Sequence, residues 1–515
     1  MKKTPIPRAL LATLAATLFG VVPPSSGQLT TNAVEKVYDL TYAGGDFPYG
    51  GYAPQSKPTL VGTNLLFTTS KGGTYNLGTV SSLSLVTHEY TQIASLAAAL
   101  GNNTGSLPNS PLTVIDSAGY FTCNTGGTSN KGTIAQIDLT PGSTYGTVTP
   151  LWSFTNYVGK GVIGNPRTGV TKIGDELWTM ASLGGLSNVG AVVKYNLTTG
   201  IPTVVTNFNG TNSSGNIGGY PYANPVLFNG DYYFTTFVGG VSASGVPLGA
   251  GTLEKMTVDG SGNATIAKLA DMLPNDYSQF PCSTPCLVGT NSLYFMTTGP
   301  NSTPGAIIRY SLDTGTWTNL WSFTNNVYAT NWYGKQPGNE GMTYWQGELY
   351  FLTRQGGTNN TGVVAKLNIA SNTIVKLGDL AGPGAASLGG NGGGFNNDGL
   401  VVLETNRYFL YYLVYAGGAN TGAGTTGSGT VIRGYLPPLP IQSQLTRPDP
   451  STVTLSWTGG YPPFDILTNS DLTVPLASWS AITNGINSIT DTTNWSVTLP
   501  ASGDTLYYQV RGQAQ

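Results

Sequence analysis

From Leu65 to Tyr435 one pattern of apolar and polar positions recurs seven times: an aromatic-aliphatic run, a Gly-rich loop, and a Gly-led second run. The copies read LLFTTSKGGTYNLGTV, YFTCNTGGTSNKGTI, LWTMASLGGLSNVGAVVKY, YYFTTFVGG…GAGTLEKM, LYFMTTGPNSTPGAIIRY, LYFLTRQGGTNNTGVVAKL and YFLYYLVYAGG…GSGTVIRGY. Their first loop glycines, Gly72, Gly126, Gly184, Gly239, Gly299, Gly356 and Gly417, stand 54, 58, 55, 60, 57 and 61 residues apart. Short runs of β-branched and aromatic residues bounded by Gly, Asn and Ser read as strands. A period in the fifties built from strands and turns predicts a β-propeller with one repeat per blade.

The sixth copy shows the expected blade best. GMTYWQ is a first strand, Gly347-Glu348 a turn, ELYFLT a second strand, VVAKLNI a third and TIVKLGDL a fourth. The fourth-strand phrase returns as LWSFTN at 151–156 and as WSFTN from Trp321. The seventh copy ends at Tyr435 in LPPLP without a fourth strand, whereas an orphan of that type, EKVYDLTY at 35–42, precedes the first copy. An all-β, seven-bladed propeller over residues 28–435 follows, closed by residues 35–42 as the outer strand of blade seven. Closure also removes exposed strand edges.

The LYF-x-T, paired-Gly and G-x-V-x-K elements resemble the bacterial tandem repeat called GloVer, found in secreted proteins, and more distantly kelch-type propellers. The likeness covers residues 35–435 and implies architecture alone, since the family offers no agreed catalytic residues to transfer. The fifth copy departs from it, with Gly299-Pro300 in place of the glycine pair. Beyond a Pro-rich linker at 436–448, residues 449–515 predict a small β-sandwich from TVTLSW, FDILTNS, SWSAIT, NWSVTL and TLYYQVRG. The placement of Trp457 and Tyr507/Tyr508 resembles a fibronectin type III-like module, which implies a spacer or attachment role.

At the N-terminus Lys2, Lys3 and Arg8 precede the apolar stretch from Ala9 to Val22, and Ser25-Ser26-Gly27 offers small residues for cleavage. Residues 1–27 therefore predict a signal peptide and an exported or cell-surface protein. Fourteen residues fall short of the ~20 a membrane span needs, so no span is expected. Charged residues are 9% of the chain and the net charge is −2, against about 25% charged residues in ordinary soluble domains. Nucleic acid is thereby excluded as an expected partner. A monomer is expected.

Candidate chemistry is sparse. His88 is the sole histidine, which argues against zinc and against Ser-His-Asp catalysis; no metal or cofactor is expected. Cys282 and Cys286 in PCSTPC predict a local disulfide, and Cys123 a buried thiol. The long connections expected at one mouth carry Tyr49, Tyr52, Tyr220, Tyr222, Trp332 and Tyr333, and another of them, NDYSQFP, carries Tyr277 and Phe280. Aromatic faces stack on sugar rings, so these six form the candidate ligand-binding set. Strand aromatics such as Tyr233, Phe234, Tyr350 and Phe351 read as core. Four connection carboxylates, Asp46, Asp276, Glu340 and Asp398, are the candidates for a glycosidase acid and base. Asp116, Asp175, Asp231, Glu348 and Glu404 read as turn-formers, and VDGSGNAT from Val258 as a hairpin turn rather than a calcium loop. Lys71 and Arg354 flank glycine pairs and could receive an acidic sugar. The expected function is non-catalytic binding of glycan or another extracellular polymer. A propeller glycoside hydrolase or polysaccharide lyase is the alternative, and a structural cell-surface protein a second.

Overall fold

The computed structural model describes residues 34–40, 49–99, 102–140, 147–157, 159–210, 217–241, 248–273, 277–299, 304–323, 334–337, 341–357, 360–380, 388, 399–404, 407–417, 427–449 and 451–460. Of the C-terminal part it further describes 464–470, 473–475, 478–486, 494–500 and 507–511. The expected signal peptide lies outside the described residues.

The fold is β-propeller-like and all-β, built from small antiparallel sheets. Among the described residues, seven of these sheets follow one plan in chain order. The fourth shows it plainly, with Val226–Phe228, Asp231–Thr236, Thr252–Val258 and Ala264–Asp271 hydrogen-bonded in sequence. In the sixth, Gln346 and Gly347 take φ of 47° and 83° between Thr343–Trp345 and Glu348–Gln355. That is the two-residue turn whose twist matches the flanking strands. The seventh sheet takes its outer strand from the other end of the chain. Val34–Asp39 pairs with Thr430–Tyr435, from Val34 opposite Gly434 to Asp39 opposite Thr430. Arg433 locks the junction, its Nε 2.6 Å from Glu35 Oε1 and its Nη1 2.9 Å from Glu404 Oε2.

The second strands bury both faces, so apolar clusters form between successive sheets rather than on one side. Phe121 and Ala135 of the second sheet pack on Leu66 and Val80 of the first, and Phe351 and Ala365 of the sixth on Met296 and Ile307 of the fifth. The last cluster joins the seventh sheet to the first through Leu40, Tyr411 and Val431 against Leu65, Phe67 and Leu83. Tyr233, Phe234, Tyr350 and Phe351 are all buried, as their strand positions predicted.

Backbone contacts tie the sheets together at one end. Ala53, Leu107, Asn165, Tyr220 and Phe280 each precede a proline yet have φ of 50–59°, a left-handed conformation that costs a non-glycine residue about 1–3 kcal/mol. Each donates its N–H to a carbonyl of the preceding sheet's loop: Ser428 (2.9 Å), Leu77 (3.0 Å), Lys131 (2.7 Å), Val189 (2.8 Å) and Ala250 (2.7 Å). The residue after each acceptor is a glycine at φ of 99–112°. A Cβ there would strike the next proline: 2.6 Å from Pro108 Cδ at Gly78, 2.7 Å from Pro166 at Gly132, and 2.9 Å from Pro54 at Gly429. The paired loop glycines are likewise at positive φ. Asn76, Asn130 and Asn360 close the loop by accepting from the first glycine's N–H.

The C-terminal part forms two three-stranded sheets. One orders Gln442–Asp449, Thr452–Thr458 and Asn494–Pro500, the other Ser480–Ile486, Phe464–Asn469 and Tyr507–Arg511. They share a core of Leu455, Trp457, Phe464, Ile466, Leu499 and Val510. The expected linker at 436–448 is shorter in the structure, because its second half is the first of these strands. Its beginning is tied down: Trp345 Nε1 donates to Pro437 O at 3.0 Å and Gln346 Nε2 to Pro438 O at 2.6 Å.

Gly132→Ala should lower stability by about 1–3 kcal/mol more than Gly230→Ala. Both have positive φ, but only Gly132 faces a proline ring, and nothing lies within 4 Å of a Cβ at Gly230. Urea midpoints compare the two, and equal losses would remove the proline contact from the account.

Candidate functional site

The expected mouth aromatics separate into three groups. Trp332, Tyr333, Asp46, Asp276, Glu340 and Asp398 lie outside the described residues, as does the side chain of Tyr49. Tyr52 is buried rather than presented, and its hydroxyl donates to Asn76 Oδ1 at 3.0 Å. Tyr52 is thus corrected from a ligand contact to a strut: it braces the first glycine-pair loop. Tyr220 and Tyr222 are brought together, with rings 6.3 Å apart and 6° from parallel.

Two further rings extend this pair. Phe237 lies 5.0 Å from Tyr222, and Phe280 stacks on Phe237 at 4.9 Å and 21°. The local chain dictates the arrangement. Gly218-Gly219 lets the backbone lie on the fourth sheet, with Gly219 bridged to Val238. The left-handed turn at Tyr220, and again at Phe280, then aims each side chain away from the strand direction. The Arg167 guanidinium sits 4.6 Å from the centre of the Tyr222 ring. Burial raises the Tyr222 hydroxyl above its ordinary pKa, and the Arg167 cation opposes that shift. The ladder's four rings are half-buried, and Val241, Leu248, Leu273 and Tyr277, which fall between Phe237 and Phe280 in the chain, are exposed. A half-buried row of rings presents flat, polarisable surface.

Phe237 escaped the sequence reading, although the repeats carry its signal. The residue following the second strand's Thr, Cys, Ala or Val is Ser70, Asn124, Ser182, Thr298, Arg354 or Tyr415 in the other copies. Ser70, Ser182 and Thr298 use their hydroxyls to bond the pre-proline carbonyls of Ala53, Asn165 and Phe280. Phe237 gives up that bond and offers a ring. Glu254 escaped too. It stands in GTLEKM where the other copies have Ser81, Ala135, Val193, Ile308, Ala365 and Ile432, each registered opposite the same second-strand position.

The turn carboxylates behave as expected. Glu348 pairs with Lys366 at 2.8 Å and Asp231 with Lys255 at 3.1 Å. Asp259 accepts from the Ser261 and Asn263 amides at 2.9 and 2.8 Å, a hairpin turn. Among the described residues no group of three His, Cys, Asp or Glu is placed to hold a metal, and no helix is long and apolar enough to cross a membrane.

The expected Cys282–Cys286 disulfide is corrected: the structure holds Cys123, Cys282 and Cys286 as thiols. The reason lies in the strand beside them. Cys282 donates its N–H to Met296 O while Cys286 stands opposite Tyr294, so PCSTPC runs along Ser292–Thr297 instead of folding back. Their partners Met296 and Tyr294 are two residues apart on that strand, about 6.6 Å, at the long end of the Cα separations a disulfide spans. Burial pushes the Cys123 thiol up to about 12.

No protein-family model matches the chain, and no curated protein sequence matches it. Solved structures align at low similarity. An oligogalacturonate lyase from Vibrio parahaemolyticus is 10% identical, with TM-score 0.43 over 78% of this chain and 93% of that one. TolB from Acinetobacter baumannii is 10% identical, with TM-score 0.30 over 74% and 78%. A puromycin-hydrolysing peptidase from Mycobacterium tuberculosis is 10% identical, with TM-score 0.35 over 72% of this chain and 63% of its own. The chain thus spans less than two thirds of the peptidase. None of them lends a residue or a reaction to this chain.

Cys123 should resist alkylation at about pH 8 until the protein unfolds, because its thiolate is disfavoured and enclosed. Non-reducing digestion should release the Cys282 and Cys286 peptides without a mutual link. A linked peptide in the mass spectrum would reverse the correction.

Proposed function

We propose that the chain is an exported, non-catalytic, seven-bladed β-propeller that binds glycan or another extracellular polymer through the ladder of Tyr220, Tyr222, Phe237 and Phe280. The ring closes through Val34–Asp39, and residues 442–511 serve as a fibronectin type III-like attachment or spacer module. One observation carries the reading. Four aromatic rings from two neighbouring connections and one strand end lie in contact at a single edge, where four of the other six copies place Ser, Thr or Asn at the strand-end position and the remaining two Arg354 and Tyr415. The Tyr220 carbonyl keeps the Phe237 N–H at 3.2 Å, and in place of the second, side-chain bond made by Ser70, Ser182 and Thr298 the fourth copy offers a ring. It is useful where a flat apolar partner such as a pyranose face must be met.

The test is a set of variants screened against soluble polysaccharides by affinity electrophoresis, followed by calorimetry on any that retard the protein. Tyr222→Ala and Phe237→Ser should each weaken binding by about 0.5–1.5 kcal/mol, a several-fold loss. Tyr350→Ala should leave affinity unchanged in the folded fraction but lower the unfolding midpoint. Binding should vary little with salt, since the face carries few charges. Retention that survives both ladder variants would place the binding surface elsewhere.

A further inference from the structure

Glu254 is the one acid placed in the middle of a sheet's third strand among the seven repeats, and it has no exposed surface. Alternation along Thr252–Val258 puts it on the same face as Met256, which packs toward Trp178, Met180 and Val192 of the third sheet. Thr252 Oγ1 donates to Glu254 Oε1 at 2.6 Å, and the Thr236 and Thr252 hydroxyls are 2.6 Å apart. Oε2 has no hydrogen-bond partner and is shut off from solvent. The hydroxyl relay runs directly beneath the ladder's backbone. A Cβ on Gly218 would meet both threonine oxygens, Thr252 Oγ1 at 2.6 Å. Gly218 is two residues from Tyr220.

The first sheet carries the same relay with a different end. Thr69 and Thr79 hydroxyls are 2.7 Å apart, Thr79 and Ser81 are 2.7 Å apart, and Ser81 meets Tyr90 at 2.8 Å. The Tyr90 hydroxyl then accepts from the Gly51 N–H at 2.8 Å. Gly51 occupies in the first sheet the place of Gly218 in the fourth, three residues before the proline. In the first sheet the relay is closed on a backbone amide by groups that stay neutral at ordinary pH. In the fourth, Ile266 stands in the Tyr90 position, and the relay ends on a group that ionises.

We propose that Glu254 is a proton-operated positioning residue for the aromatic ladder. With its proton on, the acid is a neutral member of the relay, and Gly218–Tyr222 lies flat on the fourth sheet. With the proton lost, a carboxylate would occupy a dry site with one unmet oxygen. Opening the Gly218–Tyr222 connection to water is the nearest relief. The charged groups that face it are Lys268, its cross-strand neighbour, and Asp271, itself held by Lys268 at 2.8 Å. The third sheet contributes the Glu176–Lys194 pair at the far end of the interface, and the connection contributes Tyr220 and Tyr222 with Arg167 above. Burial pushes the Glu254 carboxyl up to about 8; the Thr252 hydrogen bond and Lys268 oppose the rise, and Asp271 adds to it. A folded-state pKa above the unfolded value makes the stabilisation complete below about pH 4.3 and lost progressively as pH rises to about 8.

This role rests on reading the ladder as the binding surface, but its test needs no ligand. Hydrogen exchange of the 217–222 segment is followed across about pH 5 to 9 in the full chain, Glu254→Gln and Glu254→Ile, with the 343–354 segment as internal control. Ile is the residue two other repeats carry at this position. After correction for intrinsic rates, opening of 217–222 in the wild type should rise up to about tenfold per pH unit between about 5 and 8. Both variants should lose that slope while 343–354 stays level in all three proteins. A wild-type profile parallel to Glu254→Gln, or a slope shared equally by 343–354, would overturn the proposal. A failed polysaccharide screen would overturn the binding reading and leave this result untouched.

Discussion

The contact on which the structure depends is the meeting of a loop glycine with the next sheet's proline, made next to a backbone hydrogen bond between the same two sheets. At Gly78–Pro108, Gly132–Pro166 and Gly429–Pro54 there is no room for a Cβ, so neighbouring sheets approach as closely as backbone and ring permit. The close approach is secured by an N–H donor held in a strained left-handed turn. That strain is tolerated because two surrounding constraints fix the residue, the proline after it and the carbonyl it must reach. The same turn redirects the pre-proline side chain without consuming it in the contact. Ala53, Leu107, Asn165, Tyr220 and Phe280 show how freely that side chain varies. A joint built from backbone can thus repeat while what it displays changes. At two successive joints the displayed residue is aromatic, and the ladder results.

Charge is handled in the opposite way, by confinement. Glu176–Lys194, Asp231–Lys255 and Glu348–Lys366 repeat one acid–base pair across the second and third strands, and in the seventh sheet Glu404, at the end of the first strand, takes the acid's place beside Arg433. Lys194 and Lys366 also lie over Trp178 and Tyr350. Outer strands repeat a second pair three residues apart, at Lys36–Asp39, Lys268–Asp271 and Lys376–Asp379. Partly exposed pairs of this kind each stabilise by at most about 1 kcal/mol. Their main consequence is that a chain with few charges spends many of them within its sheets. Among the described residues, the cation recorded over the ladder is Arg167, 4.6 Å from the centre of the Tyr222 ring.

How much of this could be read from the sequence depends on which atoms carry the information. Strand positions, the glycine-pair loops and a displaced outer strand at the N-terminal side were legible, because period and glycine spacing record backbone geometry directly. The orphan EKVYDLTY was recognised by its likeness to fourth strands, and Val34–Asp39 does pair with Thr430–Tyr435. The joints were not legible, since a left-handed residue before proline runs against the usual preference for extended backbone there. Tyr52 looked like Tyr220 in sequence, and only the position of Asn76 decides that one is a strut. PCSTPC looked like a closed loop, and the neighbouring strand stretches it. Glu254 and Phe237 were visible in principle. Each is a single mismatch that alignment of the seven copies exposes, and neither is unusual when its own segment is read alone.

Those mismatches fall together, which chance placement over seven sheets does not favour. Phe237, Glu254 and the paired Tyr220–Tyr222 all belong to the fourth sheet and its incoming connection. The sheet also replaces the neutral end of the first sheet's relay with an acid. Two of the changes have a local penalty: a buried carboxyl oxygen without a donor and rings left partly in water. Sheets that touch only their neighbours allow one member to absorb such penalties while the remaining joints keep their geometry. A stable repetitive body with one member altered in core, relay and surface at once is the pattern expected when function is concentrated at one joint. On the proposed reading, the binding surface lies at the fourth sheet and the edge it shares with the fifth.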